Sequence, residues 1–274
     1  LRQQRRNTNM EHTQGQYKQK ENCRVIRQES VGNHIYSLWL HTETIAGCAQ
    51  PGQFVMAYSK DKSRLLPRPI SVCQTDGNAL RLIYRTAGAG TREFSALKTG
   101  DFLELMGPLG NGYPLDEGEG KKVLLLGGGI GIPPLLETAA HLAGSVTAVL
   151  GYKDEIFLKE EFEKFCPVVC AVEHAQDDTA DAVTGNVLDA VRKRELAADI
   201  IFACGPTPML RAVQAYAAAE RIPCWLSLEE RMACGIGACL GCVCDSVHED
   251  EHLHVCRKRV CKDGPVFPST EVAL

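Results

Sequence analysis

Lys122-Val-Leu-Leu-Leu-Gly-Gly-Gly-Ile-Gly-Ile-Pro-Pro134 sets an unbroken apolar run against a glycine-rich turn and then two prolines. A short run without polar breaks reads as a strand buried on both faces, the habit of parallel sheets covered by helices. Glycines permit a tight turn, and a proline is tolerated in the first helical turn, where its missing N–H has no intrahelical partner. Strand, glycine turn and helix start also make a place for phosphate. Gly127, Gly128, Gly129 and Gly131 let a charged group approach backbone N–H groups at a helix N-terminus. The run is not the strict GxGxxG fingerprint, and a glycine turn can be only a turn. Its strand–turn–helix context favours dinucleotide binding.

Downstream the alternation continues. The pattern predicts helices over Pro133–Leu142, Ile156–Phe165, Asn186–Arg194 and Thr207–Arg221, with strands at Ser145–Leu150, Val168–Val172 and Asp199–Ala203. That is a doubly wound parallel sheet over residues 120–222. Ligands of such sheets bind at the carboxyl ends of the strands, which puts Cys204-Gly205-Pro206 beside the glycine loop. The functional reading sets Cys204 and the local backbone near a nicotinamide ring. The rival is a proline-stopped strand with a buried thiol.

Upstream, over 23–113, short β-prone runs alternate with turns. Val31–Leu40, Gln53–Tyr58, Ile70–Gln74, Ala79–Arg85 and Asp101–Met106 are divided by Pro51-Gly52, Asp76-Gly77-Asn78 and Thr99-Gly100-Asp101. This cadence predicts a small antiparallel barrel, with one helix at Thr91–Leu97. Arg68-Pro69-Ile70-Ser71 heads one strand. An arginine can grip a pyrophosphate bidentately and a serine hydroxyl can bond a flavin edge, although a surface arginine before a strand is the default. Tyr84-Arg85 and Gly88-Ala-Gly90-Thr91 add an aromatic–basic pair and a loop ahead of the helix. Gly107-Pro-Leu-Gly-Asn-Gly112 marks the exit from the barrel.

The C-terminal segment, 223–274, is rich in cysteine. Cys234, Cys239 and Cys242 stand at C-x4-C-x2-C, and Cys261 follows after eighteen residues. This is the ligand spacing of a plant-type 2Fe–2S cluster. Gly235, Gly237 and Gly241 let the backbone wrap tightly and bring N–H groups to the sulfurs. A zinc knuckle would use two C-x2-C pairs, and only one is present. Zinc or plain buried thiols stay as rivals, and Cys244 and Cys256 compete with Cys261 as fourth ligand. His248, His252 and His254, among acidic residues, read as a solvated excursion rather than a second metal site.

The chain carries 30 Lys/Arg against 34 Asp/Glu, a net charge of −4 that argues against nucleic acid as the main partner. Residues 1–22 run against this trend, with five Lys/Arg and two Glu and few large apolar side chains, and are expected to be a disordered tail. Met10 inside that tail is a candidate true start. No apolar run is long enough to span a membrane, and no signal peptide is evident. Thirteen cysteines, an odd number, then suit reduced thiols and a metal cluster in the cytoplasm better than disulfides. No nucleophile–base constellation is visible, so no catalytic residue is assigned.

Together these motifs resemble the electron-transfer subunit of NAD-linked bacterial dihydroorotate dehydrogenase, within the ferredoxin-reductase-like flavoproteins. The resemblance runs from about residue 23 to 274. It is carried by Arg68-Pro-Ile-Ser71, Ile83-Tyr84-Arg85, Gly90-Thr91, Gly107–Gly112, the glycine loop and Cys204-Gly-Pro. Its most specific parts are Ser227-Leu-Glu-Glu-Arg-Met-Ala-Cys234-Gly-Ile-Gly-Ala-Cys239 and Val260-Cys261-Lys-Asp-Gly-Pro-Val-Phe267. What it implies is an FAD-binding barrel, an NAD-binding domain and a 2Fe–2S domain. FAD would be held by Arg68, Pro69, Ile70, Ser71, Ile83, Tyr84, Arg85, Gly90 and Thr91, and Cys261 is selected as fourth cluster ligand. It also implies an FMN-containing catalytic subunit as partner, in a heterotetramer that oxidises dihydroorotate in pyrimidine synthesis. Ala171–Asp178 lacks the Asp-Gly turn expected at the adenosine end, which leaves NAD against NADP open. A ferredoxin:NAD(P) oxidoreductase or hydrogenase subunit shares the architecture and is the alternative. A redox-sensing or zinc-stabilised binding protein without turnover is the alternative of another class.

Overall fold

The computed structural model describes residues 18–174, 181–247, 249 and 256–274. Six strands close an antiparallel barrel: β1 Gln19–Gly32, β2 Ile35–His41, β3 Phe54–Tyr58, β4 Arg68–Asp76, β5 Ala79–Arg85 and β6 Phe102–Leu109. Alternate residues point inward, as the two-residue period of a strand requires. Leu38 and Leu40, Leu80 and Leu82, and Leu103 and Leu105 fill the interior this way. Two short helices, α1 Ile45–Cys48 and α2 Ala89–Ser95, plug its ends through the buried Ile45 and Phe94.

Two sequence expectations are corrected here. Val31–Leu40 is two strands, because the chain turns at Asn33-His34 and His34 takes a φ of 60° in the left-handed region. Residues 1–17 of the expected tail lie outside the described residues, but Gln19–Asn22 belong to β1 and pair with Glu104–Gly107. Their polar side chains face outward and are used. Lys20 meets Glu104 at 3.0 Å, and the Glu21 carboxylate accepts from the backbone N–H groups of Glu43, Thr44 and Ile45.

The second unit alternates β7 Lys122–Gly128, α3 Pro134–His141, β8 Ser145–Tyr152, α4 Lys159–Phe162, β9 Val168–Val172, β10 Val183–Thr184, α5 Val187–Lys193, β11 Ile200–Cys204, α6 Thr207–Glu220 and β12 Cys224–Ser227. These strands are parallel in the order β10-β9-β8-β7-β11-β12. Helices cover both faces: α3 and α4 contribute Leu135, Leu136 and Phe162 to one core, α5 and α6 contribute Val187, Val191 and Val213 to another. The helix expected at Ile156–Phe165 is confined to α4. Leu158, just before it, takes a left-handed φ of 62°, and the Tyr152 hydroxyl holds the Phe157 carbonyl at 2.7 Å.

The last segment adds a small hairpin, β13 Val243–Asp245 with β14 Arg257–Arg259, then α7 Val260–Asp263 and β15 Val266–Pro268. Its last strand joins the sheet of the preceding unit. Both β12 and β15 lie in the large sheet, β15 antiparallel on its edge, so the sheet runs past residue 223. Val260, Cys261 and Phe267 share one core with Phe54, Met56 and Leu109 of the barrel. Among the described residues no helix is long and apolar enough to cross a membrane.

Candidate functional site

At the head of β4, Arg68 reaches across to the first turn of α2. A Cβ on Gly90 would sit 2.8 Å from Arg68 Nε, so any larger residue would make the guanidinium shift. Arg68 bonds the carbonyls of Leu66 and Pro67 rather than a carboxylate, which leaves its positive charge available to an anion. Thr91 Oγ1 accepts from the N–H groups of Ala87 and Gly88 at 2.9 and 3.2 Å and shapes the turn that carries Gly90. Pro69 and Ser71 are half-buried beside Arg68, while Ile70 points into the barrel core.

The end of β5 divides. Ile83 turns outward into the core between barrel and sheet, Tyr84 turns into the barrel, and Arg85 is exposed. The Tyr84 hydroxyl donates to Gln28 Oε1 at 2.8 Å, and its ring packs on Tyr36 and Phe94. Its side chain therefore helps build the barrel interior.

In the sheet, β7 and β11 are neighbours, with Gly127 opposite Cys204. The two turns that follow are pressed together. A Cβ on Gly131 would fall 2.5 Å from the Cys204 carbonyl, and one on Gly205 would fall 2.8 Å from Met209 Sδ. Gly129 takes a φ of 53°. The Cys204 thiol is buried, and burial pushes it up to about 12 although Ser227 hydrogen-bonds it; Glu229 raises it further. Ser227 also hydrogen-bonds Tyr113, whose hydroxyl donates to the Ala203 carbonyl at 3.0 Å. Sequence reasoning missed Ser227, Glu229 and Tyr113 as neighbours of Cys204, since they are brought in by β12 and by the barrel exit. At the adenosine end, Glu173 and His174 follow β9, and Gln176, Asp177 and Asp178 lie outside the described residues.

The cysteines fall into two touching pairs. Cys234 and Cys239 are within hydrogen-bonding reach of one another, and so are Cys242 and Cys261. Backbone N–H groups point at the sulfurs: Gly237 to Cys261 at 3.1 Å, Ala238 to Cys234 at 3.3 Å, and Ile236 and Cys239 to Cys234 and Gly241 to Cys239 at 3.4 Å. Gly235 and Gly237 make the wrap possible with φ of 69° and 83°. At Cys234 burial opposes ionisation, yet these N–H groups outweigh it and bring the thiol down to about 6. At Cys261 burial, and next the Cys242 thiol, push it up to about 12. Among the described residues no three ligating groups converge on one metal ion. Of the rival ligands, Cys244 sits on β13 and Cys256 is exposed ahead of β14. His248, His252 and His254 lie outside the described residues.

The cysteine loop is docked on the barrel. A Cβ on Gly235 would lie 2.7 Å from Met56 Cγ, and Met56 pairs with Pro69 of the Arg68 motif. Asn111, at the barrel exit, donates its backbone N–H to the Gly264 carbonyl at 2.6 Å and its amide to the Asp263 carbonyl at 2.9 Å. The cysteine loop and the arginine motif are thus one strand apart.

Comparison with known proteins agrees with this arrangement. Residues 229–273 match the family described as the iron-sulfur cluster binding domain of dihydroorotate dehydrogenase B. A Geobacillus protein named dihydroorotate dehydrogenase B (NAD(+)), electron transfer subunit, is 41% identical over 93% of this chain and 98% of its own length. A Bacillus cereus protein of the same name is 39% identical over 93% and 99%. Among solved structures, an NADH-dependent reduced ferredoxin–NADP oxidoreductase is similar with a TM-score of 0.81 at 29% identity, covering 92% of this chain and 89% of that one. The ferredoxin reductase of carbazole 1,9a-dioxygenase shares the fold, with a TM-score of 0.63 at 21% identity over 75% and 67%.

Proposed function

This chain belongs to the family of NAD-linked dihydroorotate dehydrogenase B electron-transfer subunits, and on that premise we propose that it relays electrons between a catalytic partner and NAD. When bound, FAD exchanges two electrons with nicotinamide as hydride and passes them on singly, and a 2Fe–2S cluster takes one at a time. The observation that carries the reading is the contact of Gly235 with Met56, which holds the four-cysteine loop one strand from Arg68-Pro69.

Each group of residues has a task in this reading. Cys234 and Cys239 hold one iron, and Cys242 and Cys261 the other. The N–H groups aimed at the sulfurs would stabilise their negative charge. Arg68 takes the flavin pyrophosphate, and the turn shaped by Thr91 brings backbone N–H groups to it. Pro69, Ile70, Ser71 and the Ile83–Arg85 strand end offer mainly backbone to the flavin. Gly127–Gly131 and Cys204-Gly205 form the floor on which the nicotinamide nucleotide lies. Cys204 stays a neutral thiol there and fills space beside the ring.

The partner is a catalytic subunit that holds FMN and oxidises dihydroorotate to orotate for pyrimidine synthesis in the cytoplasm, two of each chain forming a heterotetramer. It docks on the cysteine-rich end, where Ile236 and Leu240 are exposed at 44% and 61%. The protein purified with its cofactors should show flavin and 2Fe–2S absorbance, two irons and one FAD per chain, and bleaching of both bands by NADH. Protein with zinc in place of iron and no flavin would rule the reading out.

A further inference from the structure

Barrel and sheet meet across a seam lined by Ile35, Cys73 and Ile83 on one side and Ile132, Leu135 and Leu136 on the other. Apolar packing closes such a seam but is non-directional, so it leaves the angle between the two units free. Polar contacts supply direction: the Asn33 N–H donates to the Glu155 carboxylate at 2.6 Å, and a bidentate contact is made by Arg81. Arg81, on β5 and only 4% exposed, sends its guanidinium out of the barrel to the Glu161 carboxylate on α4. Both terminal nitrogens engage it, Nη2 at 3.0 Å from Oε1. From the barrel side the fork is held by Ser37 Oγ on Nε at 2.9 Å and Gln74 Oε1 on Nη1 at 2.7 Å, and it lies 5.5 Å from the Trp39 ring. Thr75 Oγ1 adds a further bond across the seam, to Glu137 Oε1 at 2.8 Å.

The position of this fork matters. Arg81 stands two residues before Ile83, on the face of β5 that ends at the flavin motif. Glu161 follows β8, the strand beside the one that carries the glycine loop. We propose that Arg81 and Glu161 are a positioning pair, which fixes the angle of the nucleotide-binding sheet on the barrel and so sets the approach of nicotinamide to flavin. The inference rests on the FAD–NAD reading above. Neither residue touches a reacting atom. A bidentate guanidinium–carboxylate pair has the geometric specificity that the apolar seam lacks, and hydride transfer is steeply sensitive to misplacement of its partners.

Two variants of the full, cofactor-loaded chain test it. Glu161→Ala leaves the Arg81 charge without its partner, and Arg81→Met/Glu161→Leu fills the same space with apolar atoms, a change that keeps such seams closed. Glu163→Ala, which removes only the exposed pair with Lys159 on the same helix, is the control. FAD content, Tm, alkylation of the fully shielded Cys73 and the limiting rate of flavin bleaching by NADH are measured in each. In Glu161→Ala, Cys73 should be alkylated about tenfold faster, and the limiting rate should fall about 10- to 100-fold with FAD retained. In the double variant Cys73 should stay shielded and Tm should hold, yet bleaching should slow to a similar extent. Bleaching within about twofold of wild type in either FAD-loaded variant overturns the proposal, as does unchanged Cys73 shielding in Glu161→Ala. A wild-type flavin that NADH does not bleach overturns the FAD–NAD reading and the proposal with it.

Discussion

The Arg68 guanidinium lies against Gly90, close enough that a Cβ on Gly90 would stand 3.0 Å from its Cζ and Nη2. Two motifs that are separate in sequence thereby come together, and in the proposed reading they form the anion cradle for the flavin. The contact makes a sharp prediction, because alanine in place of Gly90 should favour helix α2 while displacing Arg68. Gly90→Ala and Arg68→Ala should each weaken FAD binding about tenfold or more, the range for a lost charge-assisted contact. Neither should lower the apo-protein Tm by more than a degree or two, roughly what a half-exposed side chain contributes. Flavin fluorescence titration checks this. Unchanged affinity in both variants would remove the cradle from the flavin site.

The pairing of thiols predicts which cysteines the iron requires. Cys234→Ser, Cys239→Ser, Cys242→Ser and Cys261→Ser should each abolish the cluster bands, since removing one thiolate leaves an iron with an incomplete ligand set. Cys244→Ser and Cys256→Ser should keep two irons. Iron counts and visible absorbance decide it. Full iron in Cys261→Ser together with loss in Cys256→Ser would move the fourth ligand to the hairpin.

Cys204 should be inert at neutral pH despite its place beside the nucleotide turn. Burial pushes its thiol from 9.0 up to about 12. At pH 8 the thiolate fraction is then about a thousandfold below that of an ordinary thiol, and alkylation should slow accordingly. The sign for stability follows. Below pH 9 the thiol is neutral in both folded and unfolded chains. Between pH 9 and 12 only the unfolded chain ionises, so this contribution to stability falls as pH rises. Cys224, also raised to about 12 by burial, adds to the same decline. Peptide mapping after iodoacetamide treatment and an alkaline Tm series measure both effects. Rapid labelling of Cys204 in folded protein at pH 8 would contradict the burial argument.

Much of this architecture can be read from local chemistry. Lys122–Gly129 announces the parallel sheet because a continuous apolar run has few other homes, and C-x4-C-x2-C states its own ligand geometry. The first strand was hidden for the opposite reason. Gln19–Asn22 are polar, and only their pairing with Glu104–Gly107 makes them a strand. The turn at Asn33-His34 was equally silent, since His34 rather than a glycine takes the left-handed position. At Ile156–Phe165 the apolar spacing suited a helix, but the tie from Tyr152 to Phe157 and the backbone of Leu158 shorten it to one turn. The long-range pairs Arg81–Glu161 and Cys204–Ser227 have no local signature at all. They exist because two of the three cores run on across the boundaries between segments.

The division of labour between this chain and its partner gives the last prediction. In the proposed reading the chain brings together a flavin cradle at Arg68 and Gly90, a nucleotide floor at Gly127–Gly131 and a thiol wrap at Cys234–Cys242 and Cys261. Beside Gly90 stands the Arg68 guanidinium, and beside the glycine loop burial keeps the Cys204 thiol neutral. Neither can abstract a proton from a carbon acid, which needs a base poised within hydrogen-bond reach of that proton. The isolated chain should therefore oxidise NADH with an artificial acceptor and leave dihydroorotate untouched. Addition of an FMN-bearing dihydroorotate dehydrogenase subunit should create dihydroorotate-dependent NAD reduction. Replacing Ile236 and Leu240 by Asp should lower that coupled rate about tenfold or more, as loss of exposed apolar anchors at an interface does. It should leave NADH oxidation by the isolated chain unchanged. If the single chain oxidised dihydroorotate alone, the chemistry would have to be moved into it. If the mixture stayed inactive and a ferredoxin were reduced instead, the partner would be a ferredoxin and the oxidoreductase alternative would take its place.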